Sequence, residues 1–183
     1  MQNLYTIIIF SENVAGVLNQ VTNVFTRRML NIESLNVSHS GVDGIHRYTI
    51  TTKTDEKTIA LVCRQIEKKI DVIQVEYFTM DQVYSIEQAL YKLETQKMMC
   101  CPENNKAIRR YDARIIEVNQ DYCIVEQQGT HREITELYYI LKDSGCLRQA
   151  VSSGIIAVTK DRHEKLEEYL ANREKVRNNG TDI

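Results

Sequence analysis

The residues best placed to do chemistry lie at one turn, Glu12-Asn13-Val14-Ala15-Gly16-Val17-Leu18, with Asn31 a short way downstream. The turn closes an apolar run and opens an amphipathic one. The first N–H groups of a helix therefore face outward there without intrahelical partners and favour an anion such as a carboxylate. Gly16 lets a ligand approach the backbone closely, and the amides of Asn13 and Asn31 suit both the ammonium and the carboxylate of an amino acid. The same residues also serve a purely structural turn, with Gly16 as the tight bend, Asn13 as a helix cap and Asn31 as a left-handed residue. Residue types alone leave both readings open.

Elsewhere the chemistry is sparse. His39 and His46 can face each other across a strand pair, but a metal site needs three or four ligands and nothing near them in sequence supplies the rest. Cys100-Cys101 beside Met98-Met99 looks soft-metal-like, yet adjacent cysteines point apart, which favours a buried linker between two halves of the chain. Lys106, Arg109, Arg110 and Arg114 form a basic cluster that reads as a solvated face. Arg27 or Arg28 with Asn31 would anchor a phosphate in a small hydrolase. The sequence holds no phosphate loop, no G-x-G-x-x-G, no nucleophile elbow and no H-E-x-x-H.

Composition narrows the class. At 183 residues and 43% apolar content the chain can bury a core without staples, and its net charge of −2 gives no pull toward nucleic acid or phospholipid headgroups. No stretch approaches the roughly 20 apolar residues that span a bilayer, and no signal-like segment follows Met1, so the expected location is the cytoplasm. The five cysteines, Cys63, Cys100, Cys101, Cys123 and Cys146, are an odd number without a C-x-x-C pair, and read as reduced thiols, mostly in the core.

The elements that must position the turn follow from periodicity. Residues 4–10 (LYTIIIF) are short, β-branched and aromatic, as in a largely buried strand. Val17, Leu18, Val21, Val24, Phe25 and Met29 recur at helical spacing after it. Residues 32–40 and 45–52 flank a Gly/Asp-containing link and read as paired strands. Thr54 is the expected cap of a second helix bearing Ile59, Val62, Cys63, Ile66 and Ile70, and residues 72–78 read as a further strand.

The second half repeats this order less clearly: strand 85–94, a short helix around 104–110, strands 113–118 and 121–126, a helix capped by Thr130 and ended by Gly145, and a final strand 147–158 broken at Ser152-Ser153-Gly154. The fold class is therefore α+β, two ferredoxin-like βαββαβ domains at 1–80 and 81–159, with a peripheral helix that frays at 160–183.

A resemblance adds to this. Glu12-Asn13-x-x-Gly16-Val17-Leu18 followed by Phe25-x-x-Arg28-x-x-Asn31-Ile32-Glu33-Ser34-Leu35 resembles the opening of acetolactate synthase small subunits, whose first domain is an ACT domain. Arg47-x-Thr49-Ile50 and Ile70-Asp71-Val72-Ile73-x-Val75 are similar to that family too. In the second half Arg114-Ile115-Ile116-Glu117-Val118 and Ser153-Gly154-Ile155-Ile156-Ala157-Val158 match more loosely, and residues 96–111 depart from the family's longer helix.

The resemblance implies a regulatory subunit with no active site. It would dimerise through its ACT domains, bind and activate a catalytic large subunit of branched-chain amino acid biosynthesis, and confer feedback inhibition, usually by valine. By motif the effector-binding residues are Asn13, Gly16, Val17 and Leu18 of one chain with Asn31 and Ile32 of the facing chain. Thiamine diphosphate, Mg2+ and FAD would belong to the large subunit, and this chain would carry no cofactor and no metal. The alternative is an ACT-type amino-acid sensor serving a different enzyme or a transcription complex. No basic reading helix accompanies the sensor, and the aromatic motif of an RNA-binding sheet is missing.

Overall fold

The computed structural model describes residues 2–160 together with 166, 170 and 171. They divide into two compact units, one running to Tyr84 and taking in the chain from Ala157 on, the other spanning Ser85–Ile156.

The first unit contains β1 (Asn3–Glu12), α1 (Val17–Arg27), β2 (Ser34–His39), β3 (Ile45–Thr54), α2 (Glu56–Glu67) and β4 (Val72–Thr79). All neighbours in its sheet are antiparallel, in the order β2-β3-β1-β4. Alternation along β1 sends Tyr5, Ile7 and Ile9 toward the helices, where Val21, Phe25, Ile59, Val62 and Ile66 close the core. Ile8 and Phe10 face the other way and pack with Ile45, Ile73 and Leu166, the last only 3% exposed. This is why residues 4–10 are apolar at every position but Thr6 rather than alternating: both faces of β1 are covered, and Thr6 itself is buried.

Helix ends follow local chemistry. Asp55, not Thr54, caps α2, its carboxylate accepting from Thr58 N at 3.0 Å; Thr54 is the buried last residue of β3 and is not free to turn toward the helix. At the end of α1, Leu30 N donates to Phe25 O and Met29 N to Thr26 O, the paired bonds of a Schellman ending. That motif puts its penultimate residue in the left-handed region, usually as glycine; here it is Met29, at φ 54°.

β5 (Val83–Glu94) leads into the second unit, which contains α3 (Thr95–Cys100), α4 (Pro102–Arg110), β6 (Arg114–Val118), β7 (Tyr122–Gly129), α5 (His131–Asp143) and β8 (Leu147–Ser152); β9 (Ile156–Thr159) starts at its last residue and leads back to the first. The second unit's sheet order is β6-β7-β5-β8, with β9 also pairing β5. Thr130 caps α5 in a full capping box with Glu133, and Gly145 follows the helix at φ 68°, as their residue types predict. The helical stretch expected at 104–110 is longer, because Thr95–Cys100 forms its own turn and Pro102, which lacks an N–H, starts α4. Cys100-Cys101 is thus no buried linker between halves. It lies inside the second unit, with Cys100 exposed and Cys101 half-buried.

The final strand divides in two: β8 ends at Ser152, and β9 pairs β5 near the point where Lys160 N donates to Gln82 O. Of the expected terminal helix, Leu166, Leu170 and Ala171 are helical, and the remainder of 161–183 lies outside the described residues.

Candidate functional site

Gly16 is the N-cap of α1, at φ 94° and ψ −13°. A Cβ built on it would meet nothing within 4 Å, so glycine is required by the backbone conformation and open space lies before it. Among the described residues no side chain caps the first turn of α1, so Asn13 does not serve as its cap. The turn is anchored from beneath, Glu12 N donating to Asp71 O and Asn13 N to Gly44 O, each at 2.9 Å. The result is a fixed, glycine-fronted helix start in which Val17 N bonds Val14 O only at 3.5 Å and the first regular helical bond runs from Gln20 N to Gly16 O at 3.1 Å.

The flanking residues separate by exposure. Val17 is 1% exposed and packs into the core, so only its backbone can meet a ligand, whereas Leu18 is 41% exposed and presents an apolar side chain. Asn31 is exposed at the other end of α1, its carbonyl accepting from Thr52 Oγ1 at 2.7 Å, and Ile32 is half-buried against the core. Thr52 pairs with Tyr5, near the start of β1, while the Gly16 turn follows Glu12 at its end. An eleven-residue helix, ~16 Å long, therefore separates the two groups within one chain. The fold does not bring Asn13, Gly16, Val17 and Leu18 together with Asn31 and Ile32 in a single protomer.

The remaining candidates fall away from chemistry. His39 and His46 do face each other across β2 and β3, ring centroids 4.8 Å apart and edge to face. No group of three or more His, Cys, Asp or Glu side chains that could hold a metal occurs among the described residues. Lys106, Arg109 and Arg110 are exposed on α4, and Arg114 meets Glu126 at 3.3 Å. Three of the five free cysteines, Cys63, Cys123 and Cys146, are buried.

Comparison with known proteins bears directly on this geometry. Residues 7–74 match the family described as the AHAS small subunit-like ACT domain, and residues 86–161 that described as the small subunit of acetolactate synthase. The Bacillus subtilis acetolactate synthase small subunit is 30% identical over 154 residues, 84% of this chain and 88% of its own. Its Mycobacterium leprae counterpart is 31% identical over 156 residues, 85% and 91% of the two chains. The chain belongs to the acetolactate synthase small-subunit family. The crystal structure of the small subunit from Thermotoga maritima shares its fold, with a TM-score of 0.79 at 24% identity over 88% of this chain and 99% of that one.

The first family match encloses the Gly16 turn, α1, Asn31 and all of β2, the elements described above. The second spans α3 and α4, the segment where motif similarity was weakest. One cluster has no sequence signal, because its members are far apart in the chain. Glu87, 5% exposed, meets His131 Nδ1 at 2.8 Å through one carboxylate oxygen and accepts from Ser152 Oγ at 3.1 Å through the other. Each partner is bound to the carboxylate, so the serine is not held by the imidazole and no nucleophile–base pair results. The cluster instead ties β5 to the start of α5 and the end of β8. No helix among the described residues is long and apolar enough to cross a membrane.

Proposed function

We propose that this chain is a regulatory subunit that senses a branched-chain amino acid, valine foremost, at a site formed by two copies of its first domain. The observation that carries this reading is the division of the candidate residues between the two ends of α1, with an edge strand alongside. β2 is the edge of the first sheet, running from the Asn31 end to the Gly16 end, since Ser34 opposes Thr51 and His39 opposes His46. Isologous pairing of two β2 edges is antiparallel. It brings the Asn31 end of one chain beside the Gly16 end of the other, twice per dimer. Leu35 and Val37 point to the helix side of β2, their partners Ile50 and Tyr48 lying in the core, and with exposed Leu18 they supply an apolar lip for such a contact.

In that arrangement the effector carboxylate lies at the uncapped start of α1, on the amides of Val17 and Leu18, with Gly16 leaving room. Asn13 and the other chain's Asn31 bind the remaining polar groups, and Leu18 and Ile32 receive the aliphatic side chain. A ligand touching both chains binds only their docked form and shifts the pair toward it. Coupling of ~1–3 kcal/mol is enough to regulate a bound catalytic subunit. Valine differs from leucine or isoleucine by a methylene, ~1–3 kcal/mol of discrimination. The partner is the catalytic large subunit, which holds thiamine diphosphate, Mg2+ and FAD, and the setting is the cytoplasm. Purified with the catalytic subunit of its host, the chain forms a complex, raises activity, and renders it sensitive to one of the three branched-chain amino acids. Absence of both complex and stimulation would defeat the reading.

A further inference from the structure

Gln20 Nε2 reaches Asp71 Oδ2 at 3.4 Å and Arg28 Nε reaches Gln65 Oε1 at 2.9 Å, so α1 and α2 lie side by side in opposite directions. Between them runs an open groove lined by Val24, Arg27, Arg28, Gln65, Lys68 and Lys69. Four cations line it and no carboxylate does. Glu67, on α2, is not among the groove's lining, and Asp71 is engaged by Gln20. A concentration of positive charge in a chain of net charge −2 is a local feature, not a reflection of overall composition.

The groove is flanked by apolar side chains. Met29 follows Arg28 and is 91% exposed; Ile70 follows Lys69 and is 99% exposed. Neither residue type suits its place, since Met29 occupies the left-handed position of a helix ending that favours glycine and Ile70 sits in a surface turn. Met29 adjoins Asn31 at one end of α1 and Ile70 adjoins Asp71, which holds the Gly16 turn, at the other, so exposed apolar groups stand at the two ends of a cationic groove.

We infer that this groove, with Met29 and Ile70 at its ends, is the surface by which the chain docks its catalytic subunit, through a patch of carboxylates flanked by apolar sockets. The inference rests on the regulatory reading given above and extends it to a mechanism. α1 is one short rigid helix whose first turn receives the effector carboxylate and whose last turn carries Arg27 and Arg28. A shift of α1 on effector binding therefore moves the docking groove directly.

The test measures affinity of the full chain for its host's catalytic subunit at two salt concentrations, for wild type, Arg27→Glu/Lys68→Glu, Met29→Gly/Ile70→Ser, and the control Lys106→Glu/Arg109→Glu on the second unit. The charge reversal is expected to weaken the complex at least tenfold and to reduce its salt dependence. The apolar pair is expected to weaken it severalfold while the chain melts no lower than wild type, which separates docking from folding. The control is expected to bind as wild type. Wild-type affinity in both groove variants, with a complex formed by wild type, would overturn the inference and leave the regulatory reading standing. No complex with wild type would overturn both. Saturable binding of tripolyphosphate that Arg27→Glu/Lys68→Glu abolishes, with complex affinity unchanged in that variant, would assign the groove to a small anion and also overturn it.

Discussion

Replacing Gly16 with aspartate separates the ligand-binding role of the turn from its structural one. The backbone there is left-handed, at φ 94°, and an added Cβ meets nothing within 4 Å. The penalty is therefore strain alone, ~1–2 kcal/mol for an L residue. A carboxylate at the start of α1 returns ~0.3–1 kcal/mol through the helix dipole. The net loss of about 1 kcal/mol lowers the melting temperature of the first unit by ~4–8 °C. Effector binding suffers far more, because the new carboxylate occupies the amides meant for the ligand's. Two like charges ~4 Å apart at an effective dielectric near 20 repel by ~4 kcal/mol, and affinity falls more than ~100-fold.

Calorimetric titration of valine with parallel thermal melts reads both numbers. Gly145→Asp is the control: it has the same sign of φ, 68°, and the same open surroundings, but lies at the end of α5. It should melt lower and bind as wild type. If Gly16→Asp bound valine within threefold of wild type, the effector would not lie at this turn.

Other outcomes follow from the packing. Met29→Gly relieves the left-handed methionine and should stabilise the chain by ~0.5–1 kcal/mol, seen as a higher denaturant midpoint. Leu166→Ala removes a side chain 3% exposed against Ile8, Phe10, Ile45 and Ile73 and should cost ~2–5 kcal/mol; a loss below ~0.5 kcal/mol would mean that the second face of the sheet does not depend on it. Burial and nearby Glu67 push the Cys63 thiol up to about 12, and burial raises Cys123, so at pH 8 a thiol reagent should label Cys100 first and these two only on unfolding. Thr130→Ala should cost ~1 kcal/mol of stability by breaking the capping box. Hydrogen bonds from Thr130 hold Glu133 below the usual range, so the cap contributes fully above the ordinary glutamate pKa and is lost as pH falls through the lowered value.

What was legible in the sequence followed period and local chemistry. Residues 4–10, the Val17, Val21, Val24 and Phe25 stripe of α1 and the Thr130 to Gly145 helix appear in the structure as their residue types require, whereas Leu18 is exposed and Met29, expected on the same stripe, lies beyond the helix and faces solvent. Local alternatives were harder to separate. Thr54 and Asp55 are both capping residues, and the choice fell to Asp55 only because Thr54 is buried as the last residue of β3. The helix Thr95–Cys100 was hidden by its brevity and by the apolar Met98, buried at 1% exposure, which reads equally well as linker or strand end.

At the candidate site, Gly16 and Asn31 were visible as types, but their placement at opposite ends of α1 is a property of the fold. Val17 and Leu18, adjacent and similar in sequence, differ wholly in exposure. The Glu87, His131 and Ser152 cluster and the groove between α1 and α2 join residues too distant in sequence for any pattern to link.

The central claim, a site shared between chains, is tested most directly by complementation. Gly16→Asp and Asn31→Ala chains are prepared separately, then mixed under conditions that exchange protomers, and valine bound per dimer is counted. Each variant alone should bind none. In the mixed dimer one site combines both defects and the other combines an intact Gly16 turn with an intact Asn31, so the isolated heterodimer should bind one valine. A heterodimer that binds none would contradict a site built from two chains.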